Sequence, residues 1–66
     1  MFKKGDIVAL KEKDEAYNID TDKRFEVESS DDEYTTTKVL GLVVDDNHPQ
    51  IYYTTKTAHF RLYEVR

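Results

Sequence analysis

The apolar residues of this chain alternate with polar residues or occur in short runs, and they do not follow the 3.6-residue period of a helix. Phe25-Glu26-Val27-Glu28 alternates strictly, which indicates a strand with one face buried and the other in water. Ile7-Val8-Ala9-Leu10 is continuously apolar, which indicates a strand covered on both faces. Valine, isoleucine, threonine, phenylalanine and tyrosine, which suit a pleated surface, make up 24 of the 66 residues. The pattern predicts an all-β protein.

Five β-rich segments are separated by polar connections. The segments are residues 7–10, 25–28, 35–44, 51–55 and 62–65, with the turn-forming residues 45–49 between the third and the fourth. Gly41 predicts a bend, a bulge or a close backbone approach within the third strand. Residues 11–22 form a long connection, and its apolar pair, Tyr17 and Ile19, predicts a loop that folds back on itself. Residues 57–60 predict a tight helical turn before the last strand.

A chain of 66 residues has room for one hydrophobic core, so residues 1–66 are expected to form a single domain. Five short strands fit well into a small bent barrel, which leaves little unpaired edge. The order of the connections resembles that of SH3-like barrels. The first connection is long, the second is shorter, the third is a tight turn, and a helical turn precedes the last strand. The segment from Phe2 to Leu10, where Gly5-Asp6 precedes an apolar strand, is similar to the first strand of the KOW and Tudor-like branches. Lys38 to Val44 resembles their central bent strand. This resemblance implies a five-stranded SH3-like barrel.

The residue types that most enzymes need are scarce in this chain. It has no cysteine, which excludes disulfides and thiolate chemistry. Gly5 and Gly41 are the only glycines, too few for a glycine-rich phosphate loop. His48 and His59 are the only histidines; we interpret His48 as a turn residue and His59 as a partly buried neighbour of Phe60. Because a general base needs a positioned partner and a pocket that excludes water, we expect no enzyme and no cofactor.

Metal and membrane binding are not indicated either. The segments Asp20-Thr21-Asp22 and Asp45-Asp46-Asn47-His48 lack the glycine and the distant glutamate of a calcium loop, so we interpret both as solvated turns. No apolar run approaches the length of a membrane span, and no signal-peptide stretch follows Met1. We therefore expect a cytoplasmic protein with no metal site and no membrane partner.

Acidic residues are concentrated in one part of the chain. The formal net charge is −4, which disfavours general binding to a phosphate backbone. Residues 12–33 carry ten acids against three bases, a net charge of −7, whereas residues 1–11 and 34–66 have net charges of +2 and +1. Such a concentration either remains solvated and keeps the protein soluble, or it attracts a basic partner. We expect the acidic connections to lie together at one rim of the barrel.

The tyrosines offer a second clue and leave two alternatives open. Tyr52 and Tyr53 are adjacent in a strand, so they point to opposite faces and at most one fills the core. The SH3-like resemblance implies that the two polar loops bring Tyr17 and Tyr34 towards whichever of these two tyrosines points away from the core. Aromatic rings beside carboxylates suit a cationic ligand, as in the cage of Tudor-like barrels. The alternative is that these tyrosines only close the rim of a small barrel.

We therefore expect a non-catalytic protein-interaction module, monomeric or weakly associating, that binds a basic protein surface. The residues expected to form the binding surface are the acids and tyrosines of the two long connections and the outer tyrosine: Asp14, Glu15, Tyr17, Asp20, Asp22, Asp31, Asp32, Glu33, Tyr34 and Tyr52.

Two other functions remain open at the level of sequence. The KOW-like resemblance implies an RNA- or DNA-binding barrel that uses Lys38, Lys56, Arg61 and Tyr63, with the tyrosine stacking on bases. A small accessory protein of a phage or mobile element that inhibits a host protein also fits the size and the acidity, by analogy.

Overall fold

A computed structural model describes residues 1–41 and 49–64 as one five-stranded antiparallel sheet. The strands are β1 (Ile7–Leu10), β2 (Phe25–Ser30), β3 (Tyr34–Val39), β4 (Tyr52–Lys56) and β5 (Phe60–Glu64), and a 3-10 turn (Thr57–His59) joins β4 to β5. They lie in the order β4-β3-β2-β1-β5. The prediction of an all-β protein is confirmed, as is the helical turn before the last strand. Among the described residues, no helix is long and apolar enough to cross a membrane.

The third strand ends earlier than the sequence predicts. β3 stops at Val39, and Leu40 and Gly41 form a turn. Gly41 has φ +88°, in the left-handed region that glycine favours, so the chain turns at this position. The rest of that predicted strand and most of the predicted turn, including His48, fall in residues 42–48, outside the described part of the chain.

The core lies between β1, β2 and β5. All four residues of β1 are buried, which confirms that this strand is covered on both faces. In β2, Phe25 and Val27 are buried while Glu26 and Glu28 are only partly covered, as the alternation predicts. The central cluster consists of Val8, Leu10, Phe25, Val27 and Phe60, with Phe2, Ile19, Val39 and Tyr53 packed around it.

Two buried threonines connect β3 to the chain that follows it. Thr37 Oγ1 donates to the carbonyl oxygen of Tyr53 at 2.8 Å. Thr35 Oγ1 lies 2.7 Å from Ser30 Oγ and 2.8 Å from Thr57 Oγ1. Both threonines are fully buried, and each hydroxyl has a partner, as a buried polar group requires. These bonds fix the position of β4 and the 3-10 turn, which form one wall of the candidate site.

The residues between β1 and β2, which we call the first loop (residues 11–24), fold back on themselves as predicted. Asp14 and Ile19 exchange two backbone hydrogen bonds of 3.0 Å each. Asn18 takes φ +55°, an angle that asparagine tolerates better than most residues, and this conformation closes the turn. Ile19 then packs against the core cluster, so burial of one side chain anchors an otherwise polar loop.

The sheet is open in the part of the chain that the structure describes. β4 and β5 are its two edge strands, and no ladder joins them within residues 1–41 and 49–64. The ladders bend locally, with a shift of register between Ile7 and Val8 and another between Val27 and Ser29. The observed architecture is therefore a bent five-stranded antiparallel sheet.

Candidate functional site

A groove of about 450 Å³ lies between the start of the first loop and the β4 strand with its 3-10 turn. The side chains that line it are mostly polar, and both signs of charge are present. They belong to residues Leu10, Lys11, Glu12, Lys13, Asp14, Glu15, Tyr53, Thr55, Ala58 and His59. We call this feature the groove.

Tyr53 fastens the first loop to the wall of the groove. Its ring stacks on Phe25, with ring centroids 5.3 Å apart, and its hydroxyl donates a hydrogen bond to Asp14 Oδ2. Asp14 Oδ1 in turn accepts from the backbone N–H of Tyr17 at 3.2 Å. The Tyr17 ring meets the Tyr53 ring edge-on at 6.1 Å, although 73 % of Tyr17 is exposed. One carboxylate and one phenol thus hold the loop against the core.

The charge states of this pair are set by their contact and by burial. The hydrogen bond from Tyr53 holds the pKa of Asp14 below its ordinary value of 3.8. Burial, followed by the hydrogen bond to Asp14, raises the pKa of Tyr53 to about 12. Asp14 is therefore an anion and Tyr53 a neutral donor at neutral pH, which is the combination that the bond requires.

The connection between β2 and β3 places three acids beside the same wall. We call Asp31, Asp32 and Glu33 the acidic turn. The backbone N–H of Thr57 donates to the carbonyl oxygen of Glu33 at 2.9 Å, and Thr57 Oγ1 donates to the carbonyl oxygen of Asp31 at 2.7 Å. Because Ala58 follows Thr57 directly and lines the groove, the 3-10 turn joins the acidic turn to the groove.

Asp31 holds the acidic turn in shape. Its Oδ1 accepts from the backbone N–H groups of Glu33 and Tyr34, both at 2.8 Å. These two bonds, the one from Tyr34 first, keep the pKa of Asp31 below its ordinary value of 3.8. The carboxylate of Asp31 is therefore partly engaged by its own turn.

We expect Asp31→Asn to reduce the acid sensitivity of the fold. Because the pKa of Asp31 is lower in the folded protein than 3.8, its charged form stabilises the fold above pH 3.8, and this contribution is lost as the pH falls through the lowered value. The variant keeps an oxygen acceptor but has no charge to titrate. The measurement is the thermal unfolding midpoint from pH 7 down to about pH 2. Asp32→Asn removes an equal charge without changing the two N–H bonds, so its unfolding midpoint should depend on pH as that of the wild type does. The same pH dependence in both variants would contradict a stabilising role for the charge of Asp31.

The other acids and tyrosines expected in the site lie elsewhere. Asp20 and Asp22 line a second cleft, of about 360 Å³, together with Tyr17. The carboxylate of Asp20 is 3.9 Å from the ammonium group of Lys13. Tyr52 is on the opposite face of β4 from Tyr53, as predicted. Tyr17 contacts Tyr53 and so lies on the core side of β4, away from Tyr52.

Alternate residues of β3 and β4 point away from the core and form what we call the outer face. The β3–β4 register pairs Tyr34 with Lys56 and Lys38 with Tyr52 across this face. The members of the outer face are Tyr34, Thr36, Lys38, Tyr52, Thr54 and Lys56. Tyr34 therefore follows the acidic turn in sequence but presents its ring beside a lysine.

The four residues of the nucleic-acid alternative are divided between two parts of the sheet. Lys38 and Lys56 are on the outer face, whereas Arg61 and Tyr63 are in β5 at the other edge. Lys38 Nζ is 3.3 Å from Glu28 Oε2, and this ion pair raises the pKa of Lys38. Arg61 lies over the ring of Tyr63, with its guanidinium carbon 5.3 Å from the ring centroid. Lys38 and Lys56 therefore lie towards one edge of the sheet, and Arg61 and Tyr63 lie at the other.

The groove also contains Tyr53, Ala58 and His59, which were not predicted as site residues. The expectation that His59 is a partly buried neighbour of Phe60 is wrong, because His59 ends the 3-10 turn with its side chain exposed and only Phe60 enters the core. Nδ1 of His59 lies 3.2 Å from Thr55 Oγ1, across the groove wall. The alternation of side chains in β4 was the one sequence pattern that could have identified part of the groove wall, since it places Tyr53 and Thr55 on the core side.

Metal ligands and known relatives give no further guide to the site. Among residues 1–41 and 49–64, no group of three or more histidine, aspartate or glutamate side chains is arranged to hold a metal ion. Comparisons with protein-family models, with curated proteins and with solved structures found no match.

Proposed function

We propose that this protein is a non-catalytic interaction module that binds a basic segment of another protein in the groove. The acidic turn attracts and orients the ligand, and the groove receives its side chains. The observation that carries the proposal is the connection through Thr57: the residue that holds the acidic turn by two hydrogen bonds directly precedes Ala58 and His59 in the groove wall.

The groove has the chemistry that a lysine or arginine side chain needs. Glu12, Asp14 and Glu15 supply carboxylates along one wall, and Tyr53 supplies an aromatic surface on the other. A cationic head group gains from both the carboxylates and the face of a ring, while its aliphatic stem packs on apolar surface. Tyr17 is largely exposed and meets the Tyr53 ring edge-on, which adds aromatic surface next to Tyr53.

The proposal also retains an SH3-like barrel as the fold. Its support is the order of the connections: a long folded-back first loop, a short acidic turn and a 3-10 turn directly before the last strand. Both bends in the ladders favour the same architecture, because register shifts increase the curling of a sheet.

The test is binding of a fluorescently labelled oligolysine peptide at low salt to the wild type and two lysine variants. Ala58→Lys adds a positive charge inside the groove, and we expect it to weaken binding about tenfold. Thr36→Lys adds the same charge on the outer face, and we expect it to change the affinity less than about twofold. Equal losses in both variants would mean that only net charge matters and would contradict a site in the groove.

A labelled single-stranded RNA of mixed sequence provides the second arm of this experiment. The proposal expects the oligolysine peptide to bind and the RNA to bind far more weakly, since the acids beside the groove repel phosphates. Tighter binding of the RNA would contradict the proposal and support the nucleic-acid alternative.

A further inference from the structure

Within residues 1–41 and 49–64, β4 is an edge strand, and its ladder with β3 is regular. The backbone N–H of Val39 bonds to the carbonyl oxygen of Ile51 at 3.0 Å, and that of Thr57 bonds to the carbonyl oxygen of Glu33 at 2.9 Å. Hydrogen-bonded pairs recur at every second residue of an antiparallel ladder, so residues 51, 53, 55 and 57 bond to β3. The N–H and C=O groups of Tyr52, Thr54 and Lys56 therefore point away from the sheet.

β4 carries one feature that protects edge strands from pairing, the charge of Lys56, but it has no bulge and no proline. Such strands usually carry bulges, prolines or inward-pointing charges. The β3–β4 register runs from Lys38↔Tyr52 to Tyr34↔Lys56 without a shift, and within the described residues no other strand pairs with β4. The other edge strand differs, because the ladder of β5 with β1 contains a shift of register.

We propose that a second copy of this chain pairs with β4 in an antiparallel arrangement, with the two-fold axis at Thr54. Thr54 would then exchange two backbone hydrogen bonds with the partner's Thr54. Tyr52 would lie opposite the partner's Lys56, and Lys56 opposite the partner's Tyr52. All three outward-facing residues of β4 find a partner in this register.

Side-chain chemistry distinguishes this register from its neighbours. Each lysine lies beside a tyrosine ring, a favourable cross-strand pair for a cation and an aromatic face. The Thr36–Thr54 hydroxyl pair, 3.0 Å apart, continues across the axis as a row of four threonines. A register centred on Lys56 would place two lysines directly opposite each other, which is unfavourable. The chosen register has no like-charge pair.

The pairing leaves the groove accessible. It uses the backbone edge of β4 and the outer face, whereas Tyr53 and Thr55 line the groove from the core side of the strand. The dimer therefore goes beyond the proposed function and can fail or succeed independently of it.

Sedimentation equilibrium tests the proposal with a matched pair of variants. We expect the wild type to show a concentration-dependent monomer–dimer equilibrium. Thr54→Lys places two lysines at the axis and should weaken dimerisation about tenfold or more. Thr21→Lys makes the same exchange at an exposed position of the first loop, away from β4, and should dimerise like the wild type. A wild type that stays monomeric at millimolar concentration, or equal effects of the two variants, would overturn the proposal.

Amide hydrogen exchange on the wild type supplies a test that requires no variant. Raising the protein concentration should slow exchange at Tyr52, Thr54 and Lys56, because dimerisation gives their N–H groups acceptors. A dimer in which these three amides exchange as fast as in the monomer would place the interface elsewhere and overturn the proposal.

Discussion

Replacing Phe25 by alanine is expected to unfold this domain. Phe25 is fully buried, and its ring stacks on Tyr53 at 5.3 Å and meets Phe60 edge-on at 6.1 Å. Truncating a buried phenylalanine costs about 3–5 kcal/mol. A single core in a chain of this length supplies no more than about 3–5 kcal/mol in total. The variant should therefore lose its β-sheet circular dichroism and the dispersion of its amide NMR spectrum.

A matched truncation separates this loss from a general effect of removing apolar atoms. Leu62 is in β5 with 48 % of its surface exposed, so Leu62→Ala should remain folded with a small shift of its urea midpoint. A Phe25→Ala protein that keeps the wild-type urea midpoint would show that the ring cluster around Phe25 does not stabilise the fold.

Reversing two charges of the acidic turn is expected to reduce peptide binding about a hundredfold at low salt. Asp32→Lys with Glu33→Lys changes the local charge by four units beside the groove, and electrostatic steering raises association rates by about 10–1,000-fold. Asp31 is left unchanged because its carboxylate shapes the turn through the N–H groups of Glu33 and Tyr34. Most of the loss should be in the association rate, and it should shrink as salt is added. Stopped-flow kinetics with the oligolysine peptide at several salt concentrations measures the association rate and its dependence on salt.

The control for this variant has the same change of net charge in another place. Asp20→Lys with Asp22→Lys also adds four units, but these residues line the second cleft and not the groove. We expect its association rate to fall much less than that of the acidic-turn variant. If both double variants lose the same factor, the position of the acidic turn is irrelevant and only the overall charge attracts the peptide.

The strands were predictable because each is specified by its own residues. The apolar run Ile7–Leu10 and the alternation that begins at Phe25 set burial locally, and both segments form strands where the pattern predicts them. The fold-back of the first loop was also predictable, because Ile19 is an apolar residue among polar ones. The turn at Leu40 and Gly41 could not be located in advance, since a glycine in an apolar run is compatible with a bulge or with the end of a strand, and sequence alone does not choose between them.

The groove could not be predicted because long-range contacts make it. The bond from Tyr53 to Asp14 joins residues 39 positions apart, and the bond from Thr57 to Asp31 joins residues 26 positions apart. Nothing in the local pattern around Asp14 or Thr57 distinguishes them from other loop residues. The acidic character of the site was predictable. The distribution of the predicted acids and tyrosines among the groove, the acidic turn, the second cleft and the outer face depends on the tertiary structure.

The most direct test of the account is an amide NMR titration of the wild-type protein with the unlabelled oligolysine peptide at low salt. The account expects the largest shifts along the groove and the acidic turn: residues 11–15, Asp32, Glu33, Ala58 and His59. These shifts should reach a plateau together, as expected for one site. Largest shifts on the outer face or in β5, with the groove unchanged, would contradict it.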